Sequence, residues 1–189
     1  MTKRNVYILL TDTGSILTKL IKLYTKKPYN HASISFDSKL TEVYSFGRKH
    51  ERNPFRGGFV KENVKSGLFR QADCAIYSLT VSENEMKKMK QYVCKMKAEK
   101  ELYKYNFSGL FGFLFNKPIE REKAMFCSQF VASVLEKGTV TEFEKPISLI
   151  APGDLQNVAK LTLVYEGKLR DYLDGREEKV YMPVQTAMA

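Results

Sequence analysis

The chain of 189 residues has no tryptophan, only two histidines and only three cysteines. Cys74, Cys94 and Cys127 are an odd number at wide spacing with no C-x-x-C pair, which excludes a disulfide framework and leaves no zinc or thioredoxin-type motif. No metal and no cofactor is therefore expected. Long hydrophobic runs are also missing. Residues 107–115 form the longest apolar stretch, which is broken by Ser108, Gly109 and Gly112 and falls well short of the ~20 residues that span a bilayer. At the amino end, residues 6–10 are apolar but run directly into Thr11-Asp12-Thr13-Gly14 with no small-residue cleavage site, which reads as a strand rather than an export signal. The expectation is a soluble cytoplasmic protein.

With 43% hydrophobic and 12% aromatic residues, the chain has the composition of a globular protein with a real core, not of a disordered one. Its length suits one domain over residues 1–189, with a loose tail from about residue 174, where charged and then small polar residues take over. Lysine and arginine number 31 against 21 acids, so the net charge of +10 should attract anions. The lysines are scattered, however, and no compact basic cluster or nucleic-acid module occurs, so nucleic acid is not an expected partner. An anionic membrane surface is a better candidate, met by this charge and the aromatic segment 107–115.

Hydrophobic periodicity predicts an α+β fold. Residues 6–10 read as a buried strand, and the spacing of Ile16, Leu17, Leu20, Ile21 and Tyr24 predicts a helix over 16–26 that Pro28 ends. From His31, alternation puts Ala32, Ile34 and Phe36 on one face and His31, Ser33 and Ser35 on the other, away from the core. A turn at Asp37-Ser38-Lys39 predicts a return strand over 40–46 with Ser45 opposite His31. Residues 47–58, rich in Gly, Arg, Asn and Pro, read as a long surface loop. A strand at 74–81 follows, and Ser82 with Glu85 forms a capping box ahead of a helix of about eighteen residues that buries Met86, Met89, Val93 and Met96. Cys127 begins a short buried helix that Gly138 stops, 146–155 reads as a turn and a short helical segment, and 161–165 as a last strand.

The chemistry concentrates at Cys127. A thiolate at neutral pH needs a lowered pKa, which a helix N-terminus and a nearby imidazolium both provide. His31 would be that base, because such pairs meet in space rather than in sequence. The free N–H groups of Cys127 and Ser128 at the helix start could hold an oxyanion. Taken singly, each residue has a plainer reading: Cys127 as a small apolar residue filling a sheet–helix interface, and His31 as a strand residue satisfied by a serine. Cys74 and Cys94 have no partner that the sequence names and read as structural.

Four segments in order carry a resemblance: Val6-Tyr7-Ile8-Leu9-Leu10-Thr11-Asp12-Thr13-Gly14, then Pro28-Tyr29-Asn30-His31-Ala32-Ser33-Ile34, then Phe126-Cys127-Ser128-Gln129-Phe130-Val131, and finally Ile150-Ala151-Pro152-Gly153-Asp154-Leu155. Over roughly residues 5–160 the chain resembles the circularly permuted, NlpC-type branch of the papain-like cysteine peptidases, to which the lecithin retinol acyltransferase-like proteins are related. The resemblance implies an antiparallel sheet or small barrel packed against helices, with Cys127 as nucleophile and His31 as base. For the third catalytic position it leaves Ser45, which the predicted register favours, and Glu42, on the opposite face of a regular strand. Asp12 and Tyr29 would line the cleft, and Gln129 stands where relatives often have an acid. The implied activity is a cysteine amidase or peptidase acting on cell-wall-derived peptides, amino-acid amides or acyl groups. The alternatives are an acyltransferase or lipid-directed thioesterase of the same fold, and a binding module that keeps the groove without turnover.

Overall fold

A computed structural model describes residues 2–14, 27–50, 53–109, 115 and 117–175. The helix expected over 16–26, much of 107–115 and the tail beyond 175 lie outside the described residues. The fold is α+β, and its frame is a six-stranded antiparallel sheet in the order β4-β3-β2-β1-β5-β8. The strands are β1 (Lys3–Asp12), β2 (His31–Ser35), β3 (Val43–His50), β4 (Asn53–Glu62), β5 (Asp73–Ser82) and β8 (Leu161–Lys168). Two short strands, β6 (Lys104–Tyr105) and β7 (Ala124–Met125), pair in parallel beside it.

β1 is central because its apolar run is buried on both sides. Val6, Ile8 and Leu10 enter one hydrophobic cluster and Leu9, between them, enters a second. The first cluster holds the two longer helices, α1 (Glu83–Ala98) and α2 (Cys127–Lys137). α1 starts at the capping box, with Ser82 accepting from the Glu85 N–H and the Glu85 carboxylate accepting from the Ser82 N–H, and it buries the four residues that its periodicity selects, Met86, Met89, Val93 and Met96. α2 buries every residue from Cys127 to Leu135 and ends at Gly138. A Cβ on Gly138 would lie 2.5 Å from Met89 Cγ, so glycine there lets the two helices close on each other. The second cluster contains Leu9, Val43, Val64, Phe69, Cys74, Ile76, Tyr165 and Leu169, the last from the short helix α3 (Leu169–Leu173). Among the described residues, no helix is long and apolar enough to cross a membrane.

Three expectations need correction. The described residues 47–50 and 53–58 are not a surface loop but paired strand of the β3–β4 hairpin, with Phe46 opposite Phe59 and Gly47 opposite Gly58. Gly47, Arg48, Gly57 and Gly58, which suggested a loop, sit in paired backbone, where glycine serves close approach rather than a turn. The β2–β3 register is also displaced. Ile34 pairs with Tyr44 and Ser35 with Val43, which extends to Ser45 opposite Ser33, not His31, because Asp37 caps a wider turn by accepting from the N–H groups of Thr41 and Glu42. Finally, the face of β2 that carries His31, Ser33 and Ser35 is not open: all five residues of the strand are buried, since the second cluster covers that side.

Candidate active site

Each part of the site arrives on a different element. Cys127 is the first residue of α2, whose start is pinned by the Ser128 hydroxyl donating to the Ile150 carbonyl at 2.6 Å. The helix is held against the sheet by Phe130, whose ring meets Phe46 at 5.4 Å and Phe59 at 5.6 Å between centroids. His31 opens β2, where its imidazole is close enough to Cys127 for each to act on the other's charge, and its Nε2 hydrogen-bonds Glu62 Oε1 at 3.2 Å. Glu62 closes β4, and the Ser45 hydroxyl donates to the same Oε1. Gly47 makes room for that carboxylate, because a Cβ there would come within 2.9 Å of Glu62 Oε1. The ring of Phe69 lies 5.9 Å from that of His31.

The Tyr105 side chain, itself buried, also lies near enough to the sulfur for the two to influence each other's charge. Tyr105 reaches it because β4 carries Gly57-Gly58. A Cβ on Gly57 would meet Tyr105 Cβ at 2.8 Å, and one on Gly58 would meet the Tyr103 carbonyl oxygen at 2.2 Å, so only a strand without side chains there lets the 103–105 segment cross it.

The electrostatics oppose the effect of burial. Cys127 and His31 are only 3% and 9% exposed. Burial alone would raise the thiol pKa, but the hydrogen bond and charge of His31, with the backbone N–H groups of Ala32 and Ser128, outweigh it and hold the thiol below its ordinary range. Burial alone would lower the imidazole, yet its hydrogen bonds to Cys127 and Glu62 and their charges push it up to about 10. The two shifts describe one coupled pair that favours thiolate and imidazolium together. Burial and the neighbouring Cys127 raise the Tyr105 phenol well above its usual value, so it stays protonated.

His31, Cys127 and the Ser128 N–H are thus brought together. Ser45 lies one step removed, its hydroxyl on Glu62 rather than on the imidazole. Glu42 is not part of the group: in the turn before β3, it accepts from the Tyr44 hydroxyl at 3.2 Å. Tyr29 donates to Glu166 on the edge strand β8 at 2.6 Å. Asp12, at the end of β1, accepts from Asn30 Nδ2 at 2.7 Å and from the Gly14 N–H at 3.2 Å. Gln129 is buried, with no hydrogen-bond partner for Oε1 among the described residues.

Sequence reasoning missed Glu62 and Tyr105. The signal for Glu62 was there: Phe59-Val60-Lys61-Glu62 alternates as a strand and mirrors Val43-Tyr44-Ser45-Phe46, once the intervening glycines are read as paired rather than looped. Nothing local marks Tyr105, whose position depends on a contact with residues almost fifty places earlier. No family model matches this chain, and no curated protein or solved structure matches it.

Proposed function

We propose that the protein is a cysteine hydrolase of the permuted papain-like type that cleaves an amide bond through a Cys127 acyl-enzyme. The reading rests above all on the gathering of Cys127, His31 and Glu62: the imidazole and the thiol each act on the other's titration, His31 Nε2 lies 3.2 Å from Glu62 Oε1, and the Ser45 hydroxyl donates to that same oxygen. Glu62 engages Nε2, so Nδ1 is the ring nitrogen left to exchange a proton with sulfur.

In this mechanism Cys127 Sγ attacks the carbonyl carbon, forming a C–S bond as the carbonyl π pair moves onto oxygen. The tetrahedral oxyanion collapses, the C–N bond breaks, and the amine leaves with the proton that His31 carries. Water, deprotonated by His31, then attacks the thioester, and the acid product leaves as sulfur recovers the electron pair. Glu62 keeps the ring oriented throughout and stabilises its charged form before amine departure and again after water is deprotonated, and the Tyr105 hydroxyl stabilises negative charge, first on sulfur and then on the adjacent oxyanion.

The test is trapping. Incubation with a panel of peptidyl and aminoacyl p-nitroanilides, quenched in acid, should give an acyl adduct on the Cys127 peptide by mass spectrometry and release nitroaniline. Both signals should vanish in Cys127→Ala. An adduct that accumulates without nitroaniline turnover beyond one equivalent would point instead to acyl transfer to an acceptor other than water. No adduct and no enhanced thiol reactivity would end the enzyme reading.

A further inference from the structure

The side of the sheet covered by Leu9, Phe69 and Leu169 also carries a cavity of about 530 Å³, lined by Val64, Lys65, Arg70, Arg170, Leu173 and Asp174. That volume is in the range of pockets that hold small ligands. Its three cations come from three separate segments: Lys65 from the turn after β4, Arg70 from the 3₁₀ helix Gly67–Gln71, and Arg170 from α3. A single acid, Asp174, shares the lining.

Arg170 Nε is paired with Asp171 at 3.4 Å, whereas neither Lys65 nor Arg70 makes an ion pair among the described residues. Gathering like charges around one concavity, in a chain already at +10, costs self-repulsion that an anion in the cavity would relieve. Two cations without an ion pair among the described residues and a third, the Arg170 guanidinium, brought to one cavity from three segments, suit a multiply charged oxyanion, and guanidinium groups bind phosphate oxygens in bidentate fashion. Val64 is buried and Leu173 half-buried, giving the cavity an apolar wall that strengthens charge contacts made against it.

We propose that this cavity is a phosphate-binding site, filled by inorganic phosphate or by the phosphate group of a small organic monoester. It is separate from the Cys127 site but built on the same two segments. Lys65 follows closely after Glu62, and Arg70 follows Phe69, whose ring lies against His31.

Calorimetric titration of the whole chain with inorganic phosphate, and separately with glycerol phosphate, at fixed low ionic strength, tests it. Saturable one-site binding is expected, weakened at least tenfold in the Lys65→Gln/Arg70→Gln double variant, whose exposed side chains leave the fold intact. Tighter binding of glycerol phosphate assigns the site to an organic phosphate, and tighter binding of inorganic phosphate assigns it to the free ion. Heats indistinguishable from those of chloride at equal ionic strength, or binding that the double variant leaves unchanged, overturn the proposal. The titration makes no use of Cys127 reactivity, so its failure leaves the catalytic reading untouched.

Discussion

At the scale of single residues, the protein stands or falls on how tightly His31 and Cys127 hold one proton between them. An ordinary thiol is about 0.3% ionised at pH 6, so a thiolate held by His31 should react with iodoacetamide at that pH far faster than the exposed Cys94. His31→Ala should lower the Cys127 rate by about two orders of magnitude. Glu62→Gln should lower it less, and Ser45→Ala least, which peptide mass spectrometry after timed quenching resolves. The same pair sets a stability profile. His31 keeps its proton in the folded chain up to about pH 10 but in the unfolded chain only to about 6.5, so its contribution is full below about 6.5 and is lost as pH rises towards 10. The thiol, held below its ordinary range, contributes in the opposite sense, fully above about 8.5 and less as pH falls. Urea midpoints of the wild type minus those of a Cys127→Ser/His31→Asn variant should therefore fall between about pH 8.5 and 10, where the thiol no longer offsets the loss at His31. His31 and Cys127 were legible in the sequence as a chemical pair because nucleophile and base have few substitutes. Their orienting partner was not, because a carboxylate, a serine and an amide can each fill that role.

At the scale of elements, legibility followed how local the determining interactions are. α1 could be read almost to the residue, since a capping box and a 3.6-residue stripe of Met86, Met89, Val93 and Met96 are written within one segment. Ser82→Ala should therefore cost about 1 kcal/mol in urea unfolding, the usual worth of such a cap. β3 and β4 were misread because their glycines answer to a distant segment. Gly58→Ala tests this directly: its new methyl would occupy the space of the Tyr103 carbonyl, forcing the 103–105 segment off the strand. The expected result is lost Cys127 reactivity at pH 6 together with destabilisation of roughly 1–3 kcal/mol, as for other overpacked positions. Tyr105→Phe, which leaves the backbone crossing intact, should keep the stability and lose only the reactivity. Equal loss of stability in both variants would mean that the glycine does not serve the tyrosine.

At the scale of the whole molecule, the sheet order puts β1 between β2 and β5, so its Lys3 end pairs with Ser82. Pairings that close so much chain are slow to find, and folding in the millisecond-to-second range is expected. Without tryptophan, the signal for stopped-flow refolding is tyrosine fluorescence, to which Tyr44, Tyr103 and Tyr165, all buried, contribute. Packing at the centre of the structure ties α2, which opens with Cys127, to β3 and β4, which carry Ser45 and Glu62, and Phe130→Ala should cost about 3–5 kcal/mol, the range for deleting a buried ring. The order of the parts along the chain has a consequence for biosynthesis. His31, Ser45 and Glu62 leave the ribosome first, Tyr105 follows, and Cys127 emerges behind them, so a nascent chain stalled short of α2 holds every other side chain of the proposed site but not the sulfur of Cys127. In the proposed mechanism, thiol activation waits until α2 is made and docks on the sheet, with β8 and α3 still to follow.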